Sequence, residues 1–396
     1  MTNYEAVRMK EIPFSAIREV FEKVNAMRRD GRAVVPFHIG RPDFDTPEHI
    51  KEAAKKALDD GVTAYTSNFG LLELRKAIAS SLARDDGFHV DPERQIIVTV
   101  GSNEAILMAM LATLNPGDEV LIPDPMWLHY LYCARLAGAD VVSVPLAEGN
   151  GFQLDPADLE RRITKRTRMV LLNSPHNPTG AVFTRETMEA VADVVYRHGL
   201  LLLSDEIYQR IIYDGVESTS PGTFESIAGQ TLTVSGFSKT YAMTGWRLGY
   251  VVASPELISC LIRVHQYTTV CATSFAQAGA VAALTGSQDC VAAMVAEFDR
   301  RRQAILTAFR DMPGTSLVPP KGAFYAFPNI SALGVNSRDI AGQLLEQAGI
   351  ALVPGNAFGR YGEGYLRIAY SCSLPAVQQG MAGMRQYFKA AITKAK

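Results

Sequence analysis

The chain has 396 residues, more than one hydrophobic core usually serves, so two domains sharing a cleft are expected. Its composition, 47% hydrophobic and 20% charged, is that of an ordinary globular protein and excludes fibrous and low-complexity classes. With 39 basic against 41 acidic side chains the formal net charge is -2, which leaves no electrostatic footprint for nucleic acid or an anionic membrane and favours a small-molecule substrate.

The chain begins Met1-Thr2-Asn3-Tyr4-Glu5, without the basic stretch and apolar run of a secretory signal. An amphipathic segment from Ser15 to Met27 follows. From Gln95 to Ser254 short apolar runs alternate with helical patterns, as in a mostly parallel sheet flanked by helices. Seven strands are predicted: Ile96 to Val100, Glu119 to Ile122, Val141 to Val144, Met169 to Leu172, Leu201 to Ser204, Leu232 to Ser235 and Tyr250 to Ala253. Between two of them Glu186 to His198 has apolar positions at helical spacing, closed by Gly199.

The apolar stretch Val270 to Leu284 is too short to span a bilayer and reads as a buried helix. A long helix near Cys290 to Asp311 ends at Pro313-Gly314, and short strands are predicted at Phe324 to Phe327, Ala351 to Val353 and Leu366 to Tyr370. The expected fold is therefore α/β, a large domain with a seven-stranded sheet and a smaller α+β domain made by the N-terminal arm and the C-terminal third. The boundaries expected are residues 1–45 and 291–396 for the smaller part and 46–290 for the larger. Cys133, Cys260, Cys271, Cys290 and Cys372 are an odd count without a CxxC pair, which argues against a disulfide framework and a zinc site and suits a reducing cytoplasm.

The chemistry concentrates at predicted strand ends. Lys239 lies in the run Gly236-Phe237-Ser238-Lys239-Thr240-Tyr241, with Arg247 eight positions later as a permanently charged fork suited to phosphate. The strand Leu200 to Leu203 runs into Ser204-Asp205-Glu206-Ile207-Tyr208 and places an acid at the carboxyl end of a parallel strand, where ligands bind in open α/β sheets. Taken alone, Asp205 reads rather as a strand-end aspartate that caps the following turn. Another strand ends in Asn173-Ser174-Pro175-His176-Asn177-Pro178-Thr179-Gly180, which presents Asn177 as a donor or makes a purely structural turn. His176 in that turn reads as structural. At Gly101-Ser102-Asn103 a strand meets a glycine, and Ser102 is expected to cap a helix whose free N–H groups suit a dianion. Trp127, after a further strand end, serves ring stacking or the core. A Schiff-base lysine, an acid, a phosphate cup including the Ser238 hydroxyl, a ring clamp and donors such as Tyr208 are what pyridoxal 5'-phosphate asks of a protein.

In order along nearly the whole chain, Gly40-Arg41-Pro42-Asp43-Phe44-Asp45-Thr46-Pro47, Tyr65-Thr66 with Gly70 and Leu74-Arg75, Asn173 to Gly180, Asp205 to Tyr208, the lysine run, Pro320-Lys321-Gly322-Ala323-Phe324-Tyr325 and Tyr365-Leu366-Arg367-Ile368 resemble the motifs of class I aminotransferases of the fold type I pyridoxal phosphate superfamily, a group that includes aspartate aminotransferases. The resemblance implies that Lys239 carries the cofactor and moves the proton, and that Asp205 pairs with the ring nitrogen. It gives Tyr208 and Asn177 to the phenolic oxygen, Trp127 to the ring, and Ser102, Asn103, Ser238 and Arg247 to the phosphate. Arg367 would grip the substrate α-carboxylate beside Gly40. Tyr65 would reach the phosphate of a neighbouring subunit, which implies a homodimer with shared active sites.

Two positions depart from the family pattern. Gly236 stands where many members carry a phosphate-binding serine, so Ser235 or Ser238 must substitute. Arg41 stands where many have glutamate, and is read as a surface residue rather than a sensor of a second carboxylate. The expected reaction is ping-pong transfer of an amino group from an L-amino acid to a 2-oxo acid such as 2-oxoglutarate, with Phe14, Ile17, Arg41, Asn68 and Phe69 near the entrance. A lyase, decarboxylase or oxidase on the same scaffold is the alternative, and a non-catalytic regulator a more distant one.

Overall fold

The structure, a computed structural model, describes residues 4–395. In chain order its strands are β1 (Val35–Pro36), β2 (Ile96–Thr99), β3 (Glu119–Asp124), β4 (Asp140–Pro145), β5 (Thr167–Asn173), β6 (Leu201–Asp205), β7 (Thr231–Gly236), β8 (Gly249–Val252), β9 (Tyr325–Ala326), β10 (Ile350–Ala351), β11 (Val353–Pro354) and β12 (Leu366–Ala369). Strands β2 to β8 form one sheet in the order β2-β8-β7-β6-β5-β3-β4. All its pairings are parallel except those of β8, which runs antiparallel to β2 and β7.

The strands were legible as continuous apolar runs because helices cover both faces of the sheet, and every residue of β2, β3 and β8 is buried. The helix Arg185–His198 supplies one such cover. Its N-cap Thr184 accepts a hydrogen bond from the Thr187 N–H, and Met188, Val191, Ala192, Val194 and Val195 pack on Val170, Leu172 and Leu202 of β5 and β6.

Register decides where the chemistry converges. Asn173 pairs with Asp205, and Asp205 with Val234, so β5, β6 and β7 deliver their carboxyl ends side by side. The segments that carry Asn177, Tyr208 and Lys239 leave the sheet at that edge.

In the C-terminal third, β11, β12 and β9 form an antiparallel sheet, and β10 pairs in parallel with β1, so the N-terminal stretch adds a strand to this part of the molecule. The helix Ala16–Arg29 packs there through Val24 against Leu345 and Ala351. The single strand expected at Ala351 to Val353 is in fact two, β10 and β11, interrupted at Leu352, because the chain leaves β1 and turns to pair with β12. The apolar stretch from Val270 becomes helical only at Ser274, after Val270 adopts a positive φ of 67°. Most of that helix is buried, and no single helix among the described residues is long and apolar enough to cross a membrane. All five cysteines are free.

Candidate active site

A cavity of about 230 Å³ opens at the carboxyl edge of β5 to β7. Gly40, Ser102, Asn103, Trp127, Asn177, Asp205, Tyr208, Ser238, Lys239, Arg247 and Arg367 all line it. Tyr65 does not; its side chain is 86% exposed and lies outside the cavity of its own chain. Ile17, Tyr130, Ile207, Thr244 and Tyr325 complete the wall.

One end of the cavity is built for an anion. The helix Ser102–Thr113 is capped not by Ser102, as expected, but by Gly101, whose φ of 78° turns the chain into the helix and leaves Ser102 as the first helical residue. Glu104 takes the Val100 N–H at 2.5 Å, while the Ser102 and Asn103 N–H groups have no partner among the described residues. The Arg247 guanidinium lies across Gly101, where an added Cβ would come within 2.6 Å of its Nη2. Arg247 is exposed, donates to the Thr244 carbonyl at 3.1 Å, and has no carboxylate partner among the described residues. Ser238 lines this cavity, whereas Ser235 donates to the Glu206 carbonyl at 3.4 Å and lies outside it. The glycine at 236 also has a reason: a Cβ there would meet the Gly249 Cα and the Leu248 carbonyl oxygen at 2.9 Å, so a serine does not fit between β7 and β8.

At the floor, Asp205 accepts hydrogen bonds from the Tyr130 hydroxyl at 2.7 Å and the Ile207 N–H at 3.1 Å, so the turn-capping and ligand-facing readings of this residue are compatible. Burial pushes its carboxyl up to about 6, against these hydrogen bonds and the Lys239 charge, which hold it down. Lys239 Nζ donates to the Gly40 carbonyl at 2.7 Å. Burial, and after it the Arg367 charge, lower the amine to about 8, while Asp205 acts the other way. The hydroxyls of Tyr208 and Tyr325 are 2.7 Å apart. Trp127 stacks on His129 with ring centroids 4.5 Å apart and meets Tyr130 edge-on at 5.4 Å.

Arg367 closes the opposite side. It is 2% exposed and sandwiched between the Tyr325 and Phe358 rings at 4.8 and 4.9 Å. Its Nη2 donates to the His38 carbonyl at 2.8 Å and its Nη1 to Asn177 Oδ1 at 3.4 Å, while Nε has no partner. No carboxylate of the described residues pairs with it. A buried guanidinium left without an anion is costly in a protein interior.

His176 is buried outside the cavity, held at Nδ1 by Thr179 Oγ1 at 2.8 Å, and burial lowers it to about 3, so it is a neutral structural residue. Of the five entrance positions, Ile17 lines the cavity. Phe14 is 94% exposed, Phe69 packs in the core near Arg75, and Asn68 lies outside the lining. Arg41 is exposed and faces a neighbouring cavity with Arg28.

The model of the family described as aminotransferase class I and II matches residues 32–382. The chain belongs to this family. It is 41% identical over 384 residues to aromatic-amino-acid aminotransferase 2 of Thermococcus litoralis, covering 96% of this chain and 97% of that one. It is also 41% identical over 377 residues to the aspartate aminotransferase of Pyrococcus abyssi, covering 95% and 96%. Among solved structures, Thermus thermophilus aspartate aminotransferase with maleate superposes with a TM-score of 0.93 at 38% identity, over 97% of this chain and 100% of that chain. The protein is an aminotransferase, which decides against the lyase, decarboxylase, oxidase and regulator readings.

Class I aminotransferases work with pyridoxal 5'-phosphate, and the site fits that group: free N–H donors and an unpaired guanidinium suit a phosphate, and Asp205 suits a protonated ring nitrogen. Tyr130 is the contact to Asp205 that the sequence did not disclose. Replacing Tyr130 with Phe removes a hydrogen bond to a charged group, worth about 1.5–3 kcal/mol, so kcat/KM of the aminotransferase is expected to fall by roughly tenfold or more. Unchanged steady-state kinetics would show that this contact does not support Asp205.

Proposed function

We propose that this aminotransferase moves the amino group of an L-amino acid to 2-oxoglutarate in two half reactions that share the one cavity. The observation that carries the reading is the buried Arg367 guanidinium, without a carboxylate partner among the described residues, in the same cavity as the depressed amine of Lys239. Each substrate of such a reaction brings an α-carboxylate and a reacting α-carbon, and binding them in turn needs one clamp and one base.

Pyridoxal 5'-phosphate, when bound, supplies an aldehyde that takes up the amino group and a ring that accepts electrons from the α-carbon. Ser102, Asn103, Ser238 and Arg247 would hold its phosphate, Asp205 would keep a proton on its ring nitrogen, Tyr208 and Asn177 would donate to its phenolic oxygen, and Trp127 would cover its face. Lys239 is its attachment point and the group that takes the proton from the substrate Cα onto Nζ. A proton affinity lowered to about 8 makes that role accessible near neutral pH, because about a tenth of the amine is uncharged at pH 7, against less than about a thousandth at the ordinary value of 10.5. Arg367 orients the α-carboxylate from one side, and Gly40 receives the Lys239 ammonium through its carbonyl.

The reading includes a homodimer in which Tyr65 reaches the phosphate of the partner's site, supported by its exposure and its place outside its own cavity. It also includes a large domain of residues 46–290 with residues 1–45 and 291–396 in the smaller one. A cytoplasmic location is in keeping with five unpaired cysteines.

Initial rates measured with varied amino donors against 2-oxoglutarate test the function. Parallel double-reciprocal lines are expected, and the donor screen ranks the amino acids. Intersecting lines contradict a shared site used in turn.

A further inference from the structure

Glu206 follows Asp205 at the end of β6, is 3% exposed, and has no part in the chemistry described above. Successive strand residues point to opposite faces, so Glu206 shares a face with Ser204 while Asp205 looks into the cavity. Its Oε1 accepts from the hydroxyls of Ser204 and Ser220, each at 2.8 Å. Its Oε2 is buried with no partner among the described residues. Through its main chain it ties β6 to β7, the strand that leads to Lys239: its N–H donates to the Val234 carbonyl at 2.8 Å, and its carbonyl accepts from Ser235 Oγ at 3.4 Å.

The charged and titratable groups that face Glu206 are Asp205 on its own strand, Asp86 at the end of the helix Leu72–Asp86, and Tyr250 on β8. None of them is a cation. The nearby Arg210 is engaged by Asp85, and Glu206 forms no ion pair among the described residues. An ionised carboxylate at this point would be buried, half-satisfied and beside two other acids, which a protein interior does not tolerate without a counter-charge. Burial, reinforced by Asp86 and Asp205, pushes its carboxyl up to about 8 despite the two serine donors.

We propose that Glu206 is a positioning residue for Asp205, an uncharged carboxyl that fastens the junction of β6 and β7 from the far face of the sheet and leaves Asp205 as the ionised acid at that strand end. The inference rests on the role of Asp205 proposed above. A second negative charge on Glu206 would raise the proton affinity of Asp205 by like-charge repulsion and draw the proton of a ring nitrogen onto the Asp205 carboxylate. The neutral form avoids that, and activity is expected to fall as alkaline pH ionises Glu206.

Glu206→Gln is the decisive variant, because a carboxamide keeps an acceptor for both serines and a donor at the second position but cannot ionise. In the cofactor-free protein the folded-state affinity of Glu206 is raised above its unfolded value of 4.5 to about 8, so its stability contribution is complete below pH 4.5 and is lost progressively as pH rises to about 8. The Tm of Glu206→Gln is therefore expected to match wild type near pH 5 and to exceed it by a margin that grows up to pH 8. Parallel Tm curves overturn the proposal. In the holoenzyme the variant is expected to keep wild-type activity at pH 7 within roughly threefold, and to lose the alkaline decline. A decline identical to wild type, or loss of activity at every pH in a folded variant, also overturns it. Asp205→Asn read alongside separates the two claims: full activity in that variant would remove the proposed role of Asp205, whatever Glu206 does to the Tm curves.

Discussion

Lys239→Ala is expected to reduce turnover by roughly 10³-fold or more, because it removes both the attachment point and the proton carrier in one substitution. The fold should survive. The half-buried amine has the Gly40 carbonyl as its hydrogen-bond partner and no ion pair among the described residues, so its removal relieves a desolvated group rather than breaking a paired one. Borohydride treatment followed by mass analysis should place the cofactor on Lys239 in the wild-type protein and leave the alanine variant unmodified. A reduced adduct that persists in the variant would show that another residue holds the aldehyde.

Arg367→Leu should produce the next largest effect, and with an opposite sign for stability and activity. Losing a buried, charge-assisted clamp on a carboxylate costs about 3–5 kcal/mol, a fall in kcat/KM of roughly 10²- to 10⁴-fold. The same change removes a 2% exposed guanidinium that no anion among the described residues neutralises, so the Tm of the cofactor-free variant should stay level or rise. Arg367→Lys should recover only part of the activity, since an ammonium cannot form the planar two-point pair. A variant that is destabilised but retains kcat/KM would mean that Arg367 holds β12 in place rather than a substrate.

The large sheet was readable because its strands are buried on both faces and therefore stand out as unbroken apolar runs; the differences are one or two residues at the ends, as where Leu232 to Ser235 became Thr231–Gly236. The small sheets were less readable. Two-residue strands such as Val35–Pro36 carry no periodicity of their own and exist only because a distant partner, Ile350–Ala351, lies alongside. Site residues at strand ends were legible since parallel register brings strand ends together. Tyr130 and Tyr325 were not assigned, because they reach Asp205 and Tyr208 across 75 and 117 residues of sequence, and only the fold supplies that proximity. The helix cap at Ser102 was misplaced by one position because Gly101, which has no side chain to signal a cap, takes the N-cap position through its positive φ. The unpaired state of Arg367 was equally invisible, since absence of a partner is a property of the packed molecule.

The central claim is that Lys239 and Arg367 serve two substrates in turn within one cavity. Mixing the holoenzyme with an amino donor and no 2-oxo acid acceptor, and measuring the 2-oxo acid released, tests it most directly. The account predicts a single burst of one equivalent per active site, followed by no further release until 2-oxoglutarate is added. Continued release without any acceptor would contradict it.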